Sequence, residues 1–286
     1  MKFEIKTLLL LCLLTSYYTV SAQYKPYYYK NQEIGVSVKA GLAHSYGSLP
    51  ASMSGDFKFA TAIGFQYEYY VNPSWSLGIG GQYARQTLDF KGTNLKGEQD
   101  QTDWEKESFI FRYQGKTYKE QWKVNQFNIP FTIQYVGKEE TSLYVRTGFQ
   151  YSLILNTKAT LTWNQLKTSG YFPQYKAELN GPLFAGFGTQ EKLEYEPNLE
   201  VKNRWAWIAE IGVKHTVASN QNVYIGFYFD LGLNNQKPEV AENKEEIIQY
   251  KPVKGQAIEQ NSIQQSSKAV FKNYNLGIQI RYGFGV

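Results

Sequence analysis

Cysteine is almost missing: Cys12 is the only one among 286 residues. It lies in the apolar run Leu8–Leu14, behind the basic start of Lys2 and Lys6 and ahead of small residues ending at Ala22. These are the parts of a secretory signal spanning 1–22, with cleavage expected between Ala22 and Gln23. Leu9-Leu10-Leu11 lacks the small residues of a lipoprotein box, so no lipid anchor is expected there. The mature chain then has no thiol, which excludes disulfides and cysteine ligands. Histidine is scarce too, with only His44 and His215, and their spacing offers no metal site. Phosphate loops, dinucleotide fingerprints and zinc patterns are lacking, and no cofactor is expected. No stretch beyond the N-terminal run is uniformly apolar over ~20 residues, which excludes helical membrane spans. Charge of one sign is also sparse. The formal net charge of +5 falls to +4 once Lys2, Glu4 and Lys6 are removed. That excess is spread along the sequence, which argues against a nucleic-acid partner.

What is abundant is aromatic: 16% of residues, with 24 Tyr against 2 Met. Many of them recur at every second position. In Phe57–Val71, one parity holds Phe57, Phe59, Ile63, Phe65, Tyr67, Tyr69 and Val71, and the other Lys58, Ala60, Ala62, Gly64, Gln66 and Glu68. A strand puts such sets on opposite faces of a sheet. Seven further segments alternate likewise, at 34–42, 75–84, 126–135, 143–153, 205–214, 223–233 and 274–284. Asn72-Pro73, Gly137 to Thr141 and Ser219 to Asn222 read as tight turns. Long polar stretches at 44–56, 92–121, 159–203 and 234–268 alternate with them. Behind a secretory signal, this is the pattern of an all-β, eight-stranded antiparallel transmembrane barrel with short periplasmic turns and long extracellular loops. The expected organisation is a signal peptide at 1–22, a periplasmic leader at 23–31 and a barrel domain at 32–286. Both termini are then periplasmic, in the outer membrane of a Gram-negative bacterium, with outer-membrane lipid around the wall. Tyr67 and Tyr69 are expected in the periplasmic aromatic girdle.

Two loops carry their own expectations. Ser108–Tyr113 and Thr117–Trp122 flank Gly115-Lys116 as a candidate hairpin. The final loop is low in complexity and is expected to be mobile.

Parity sends Lys39, Glu68, Arg146, Glu210, Lys214, Asp230 and Arg281 into the lumen. A buried ion needs a partner or it costs several kcal/mol, and an eight-stranded barrel is narrow enough for side chains to fill. The expected role of this network is a salt-bridged plug, with an ion path as the alternative. His44 with Ser45 and Asp56 is the one conceivable lipid-acting triad, and His215 falls at the opposite end. No motif fixes that geometry, so the expectation is a protein that is not an enzyme. It would be a surface or envelope component that binds an envelope or extracellular protein through its loops. A channel or carrier for a small solute or hydrophobic molecule is the alternative, and a lipid-modifying enzyme stands third.

Gln126-Phe-Asn-Ile-Pro-Phe-Thr-Ile-Gln-Tyr135, Leu143-Tyr-Val-Arg-Thr-Gly-Phe-Gln-Tyr151 and Tyr228-Phe-Asp-Leu-Gly-Leu233 resemble strands of the PorT-like outer-membrane β-barrel family of Bacteroidetes. The last strand, Asn275 to Tyr282, resembles the signal used in barrel assembly, although the chain ends Phe284-Gly-Val286 rather than on an aromatic residue. The resemblance implies the barrel assembly machinery as a transient partner. Pro130 lies inside one of these motifs. Because proline cannot donate into a ladder, a bulge or locally unpaired carbonyl is expected beside it.

Overall fold

The computed structural model describes residues 31–49, 53–237, 246–251, 257–265 and 270–286. Ala22, Gln23 and the rest of the leader before Asn31 lie outside the described residues. In chain order the strands are β1 (Gln32–Tyr46), β2 (Met53–Asp56), β3 (Lys58–Asn72), β4 (Trp75–Thr102), β5 (Ser108–Val136) and β6 (Thr141–Phe172). They are followed by β7 (Ala177–Leu179), β8 (Gly188–Tyr195), β9 (Arg204–Ala218), β10 (Gln221–Gly232), β11 (Ile248–Tyr250), β12 (Ile258–Gln260) and β13 (Lys272–Gly285). Single-turn 3₁₀ helices sit at Leu183–Ala185 and Ile263–Gln265.

Eight strands close into a ring. β1 pairs with β3, and the order continues through β4, β5, β6, β9, β10 and β13, which returns to β1. Every pairing is antiparallel, and the eight ring strands contain the eight alternating segments of the sequence. The short connections are where the turn chemistry put them. At Asn72-Pro73 the Asn72 carboxamide oxygen accepts from the backbone N–H groups of Ser74 at 2.9 Å and Trp75 at 3.0 Å. Those two side-chain bonds tighten the reversal at the last pair of the β3–β4 ladder, Asn72 with Trp75.

Pro130 behaves as its chemistry requires. It pairs with Gln150 on β6, but the ladder to β4 is interrupted between Ile79–Phe131 and Gln82–Asn128. Register is unchanged across the gap, so the missing proline donor leaves an unpaired patch and no bulge.

β5 shows why the ring has two parts. Its outward residues Phe127, Ile129, Phe131, Ile133 and Tyr135 are apolar, and its inward Gln126, Asn128, Thr132 and Gln134 are polar. N-terminal to Asn125 the rule inverts. Lys119, Gln121, Lys123 and Asn125 face out, whereas Tyr118, Trp122 and Val124 are buried inside. The apolar stretch, about nine residues, matches what a tilted strand needs to cross a bilayer. Around the ring, Val36, Phe59, Ile63, Phe65, Leu77, Leu143, Ile211, Phe227 and Ile280 complete the outward apolar belt. Tilted ring pairs mark its two rims, with Trp75 and Tyr135 at 5.1 Å near the turns and Tyr151 and Trp205 at 4.7 Å at the far end. Tyr67 and Tyr69 lie exposed on the turn side, beside Trp75.

Beyond the far rim, β4, β5 and β6 continue as one tall sheet, forming a head. β2 pairs onto β4, and β7 and β8 pair onto β6. This corrects three loop expectations. Gly115-Lys116 lies mid-strand, and the reversal between β4 and β5 falls at 103–107, where Asp103 accepts from the N–H groups of Glu105 and Glu107, each at 2.9 Å. The stretch from Ala159 is strand to Phe172, with β8 folded back along it. The described parts of the final loop are packed: Ile247, Ile248, Tyr250, Ala257 and Ile263 are buried in the head core. Apolar residues scattered in a polar loop found an apolar face that composition alone did not reveal.

Candidate functional site

The lumen is filled in three tiers. Nearest the turns, the Glu33 carboxylate accepts from Asn222 Nδ2 at 2.6 Å and Tyr224 Oη at 3.0 Å, and Tyr70 and Tyr224 share a hydroxyl hydrogen bond of 2.9 Å. Above them Arg281 stacks 3.8 Å from the Tyr224 ring centre and donates to Gln134 and, at 3.5 Å, to Glu68.

The middle tier turns on Arg146. Its Nη2 meets Glu68 at 3.1 Å and its Nη1 meets Glu210 at 3.7 Å, while Nε donates to Thr132 at 3.0 Å. Tyr144 also donates to Glu210. Glu68 further accepts from Ser76 Oγ at 3.0 Å. Its carboxylate fills the space a side chain on Gly78 would need, since a β carbon there would lie 2.5 Å from both carboxylate oxygens.

At the head end Arg204 pairs with Asp230, which accepts from Gln150 at 3.3 Å. Lys39 lies between the upper two tiers, with its ammonium 5.1 Å from the Tyr228 ring centre. It borders two cavities of about 10 and 20 Å³, each large enough for about one water. Lys214 is buried at the turn end, on the inward face beside Tyr224.

All seven charged residues predicted for the lumen are therefore inside it. Glu33 and Arg204 were missed, although each continues an alternation by one step: Glu33 shares the parity of Lys39, and Arg204 that of Glu210. His44 and Ser45 do not meet. As consecutive strand residues they point to opposite faces, His44 outward onto Phe57 at 4.5 Å and Ser45 inward to the carbonyl of Lys272 at 3.3 Å. Asp56 is held by Lys91. The imagined triad is not assembled.

The head has an interior of the opposite kind. Its inner face carries Phe90, Phe109, Phe111, Tyr118, Trp122, Leu161, Trp163 and Leu166, all nearly or fully buried. Rings connect from tip to barrel rim. Phe109 stacks on Phe172 at 5.0 Å and meets Tyr250 edge-on at 4.9 Å, Tyr118 packs on Trp163 at 4.6 Å, and Trp122 lies between Phe90 at 4.9 Å and Phe271 at 5.0 Å. Tyr113 donates to Glu246 at 2.7 Å, and burial followed by that hydrogen bond pushes its phenol well above the usual range.

One carboxylate lies inside this apolar core. Glu120 accepts from Trp122 Nε1 at 2.6 Å, from the N–H of Ile263 at 3.0 Å, and from the hydroxyls of Tyr118 and Ser262. Burial pushes its carboxyl above the ordinary range, against the four hydrogen bonds that pull it down. Two donors belong to β5 and two to the final loop, so Glu120 pins that loop to the sheet. Glu120 was legible as an inward-parity charge only once β5 was known to continue through it.

A family profile described as outer membrane protein beta-barrel domain matches residues 21–237. Comparison with curated proteins gives no match. Among solved structures the chain is similar to the outer membrane protein OprG from Pseudomonas aeruginosa, with 10% identity over 90% of this chain and 96% of that one and a TM-score of 0.38. It is similar to Ail, the attachment invasion locus protein of Yersinia pestis, with 10% identity over 88% and 99% of the two chains and a TM-score of 0.30. It is also similar to the outer membrane protease OmpT from Escherichia coli, with 11% identity over 89% and 97% and a TM-score of 0.36. A protease among such barrels overturns the expectation that this chain is not an enzyme. The fold does not carry that exclusion.

Proposed function

Because this chain belongs to the outer membrane protein beta-barrel domain family, we propose that its head stands outside the cell and binds a partner. The observation that carries this reading is the head itself. Three ring strands run far past the apolar belt to build a separately cored body, and its tip leaves large apolar side chains uncovered. Phe184 is 76% exposed, with Trp104, Tyr175 and Leu183 exposed beside it on the tip elements. A wall that only crossed the membrane would have no use for that continuation. Both chain ends then lie in the periplasm, and the mature chain begins at Gln23. Within the family, the motifs around Ile129-Pro130, Gly148 and Gly232 support the PorT-like group of Bacteroidetes.

The test is photo-crosslinking on intact cells from residues placed at 104 and 184. A discrete crosslinked protein from both positions is expected. Crosslinks to lipid alone would sink the reading. Tags in the 103–107 turn should be reached by antibody on intact cells, and tags at Lys138 only after permeabilisation.

A conducting lumen is the competing reading, and the tiered ion pairs argue against it. Planar-bilayer recordings of the wild-type protein should give no reproducible steps. Steps altered by Arg146→Ala would reverse that judgement.

A further inference from the structure

Net positive charge is spread thinly along the sequence, but sheet register gathers part of it. Lys123 on β5 lies directly opposite Lys158 on β6, and Arg85 on β4 lies opposite Asn125, two residues along from Lys123. All three are exposed. Directly opposed side chains sit about 4.5–5.5 Å apart at Cβ and diagonal ones about 7–8 Å, so the three cations share one small patch of the outer wall. Like charges opposed across a ladder destabilise it, and the Lys123–Lys158 pair is therefore a cost the fold carries.

No carboxylate makes an ion pair with any of the three among the described residues, and Glu196 and Glu200, exposed on the same outer face, flank Lys158 only diagonally, on either side of its partner Asn198. The nearby carboxylate of Asp89 is taken by Lys58 at 3.0 Å and Gln121 at 2.9 Å, and that of Glu194 by Lys192 at 2.6 Å. Depth along the wall supplies the second observation. Just below the cations, Tyr83 donates to Asn125 at 3.2 Å and Asn125 to Asn156 at 2.8 Å. Below that row begins the apolar belt, with Phe127 on β5 and the packed Tyr151–Trp205 ring pair. The cations thus stand one step above the aromatic rim, at the level of lipid headgroups.

We propose that Arg85, Lys123 and Lys158 bind the phosphorylated headgroup of a membrane lipid, with the acyl chains lying on the belt beneath. The occupant is a lipid and not free phosphate, because the apolar wall directly below the cations suits chains that a free anion lacks. The proposal rests on the outward orientation of the head only for which leaflet supplies the lipid.

Full-length mature protein in uncharged detergent micelles, titrated with bis-phosphorylated lipid A and read by native mass spectrometry, tests it. The wild type should retain the lipid, and the triple variant Arg85→Gln/Lys123→Gln/Lys158→Gln should bind roughly a hundred-fold more weakly, at about five-fold per charge. Dephosphorylated lipid A and phosphatidylcholine should bind no better to the wild type than to the triple variant. Inorganic phosphate should fail to displace lipid A, and Lys138→Gln at the opposite end should match the wild type. Equal lipid A affinity in the triple variant, or equal binding of the phosphate-free lipid, would overturn the site. Loss of a protein crosslink in the triple variant with lipid affinity intact would also overturn it, by making the patch a protein surface. These exposed substitutions touch no core, and heat-modifiable migration on gels verifies the fold. The micelle titration needs no partner and no orientation, so a failed crosslinking experiment on cells leaves its result readable.

Discussion

Glu68→Ala is the sharpest probe of the lumen. Glu68 is fully shielded from solvent and serves two guanidinium groups at once, Arg146 at 3.1 Å and Arg281 at 3.5 Å, as well as Ser76. Both arginines are themselves buried, at 4% and 0% exposure, so removing the carboxylate strands charge that water cannot reach. Removing one member of a buried pair costs about 3–5 kcal/mol. Arg146 keeps Glu210 and Arg281 keeps Gln134 and the Tyr224 face, which holds the expected loss to the lower half of that range, about 3–4 kcal/mol. The assay is urea unfolding in lipid vesicles followed by tryptophan fluorescence, with stability taken from the midpoint and slope. Glu194→Ala is the control, since it deletes the same charge from an exposed pair with Lys192 and should cost less than about 1 kcal/mol. Adding Arg281→Leu to Glu68→Leu should recover part of the loss, because both charges then leave together. A loss below about 1 kcal/mol for Glu68→Ala would refute the claim that these charges hold the lumen shut.

Other outcomes follow from the same geometry. Gly78→Ala should displace the Glu68 carboxylate, whose oxygens lie 2.5 Å from the new β carbon, and lower the urea midpoint in the same direction as Glu68→Ala. Trp122→Ala empties the head core between Phe90 and Phe271 and should cost the head about 3–5 kcal/mol. Trypsin should then cut the head while the barrel keeps its heat-modifiable migration, and simultaneous loss of both would show that the head is not separately cored. Glu120 makes the head pH-dependent. Its carboxyl is raised in the folded head, so its contribution is fully present below the ordinary carboxylate range and is lost as pH rises through the raised value. Protection of residues 257–265 from hydrogen exchange, corrected for intrinsic rate, should therefore fall as pH rises above the ordinary carboxylate range, and Glu120→Gln should flatten that dependence. Protection that rises with pH would show that the four hydrogen bonds outweigh burial.

Period-two alternation is a property of each strand alone, which is why the sequence determined the eight ring strands, their outward and inward faces and the charges between them. Lys39, Glu68, Arg146, Glu210, Lys214, Asp230 and Arg281 could be assigned inward without knowing any neighbour. The head was illegible for a physical reason. Past Asn125 the solvent outside the wall changes, so polar residues face out and apolar ones face in, and strands built on the inverted rule read as polar loops. On β6 an extra residue, Leu155, shifts the parity where the rule inverts, since Asn125 pairs with Asn156 but Gln126 with Ile154. Adjacency across strands was likewise absent from the sequence, because register is set between chain segments and not within one. Only the closed sheet set Arg146 between Glu68 and Glu210, and only it turned Arg85, Lys123 and Lys158 from scattered charges into one patch.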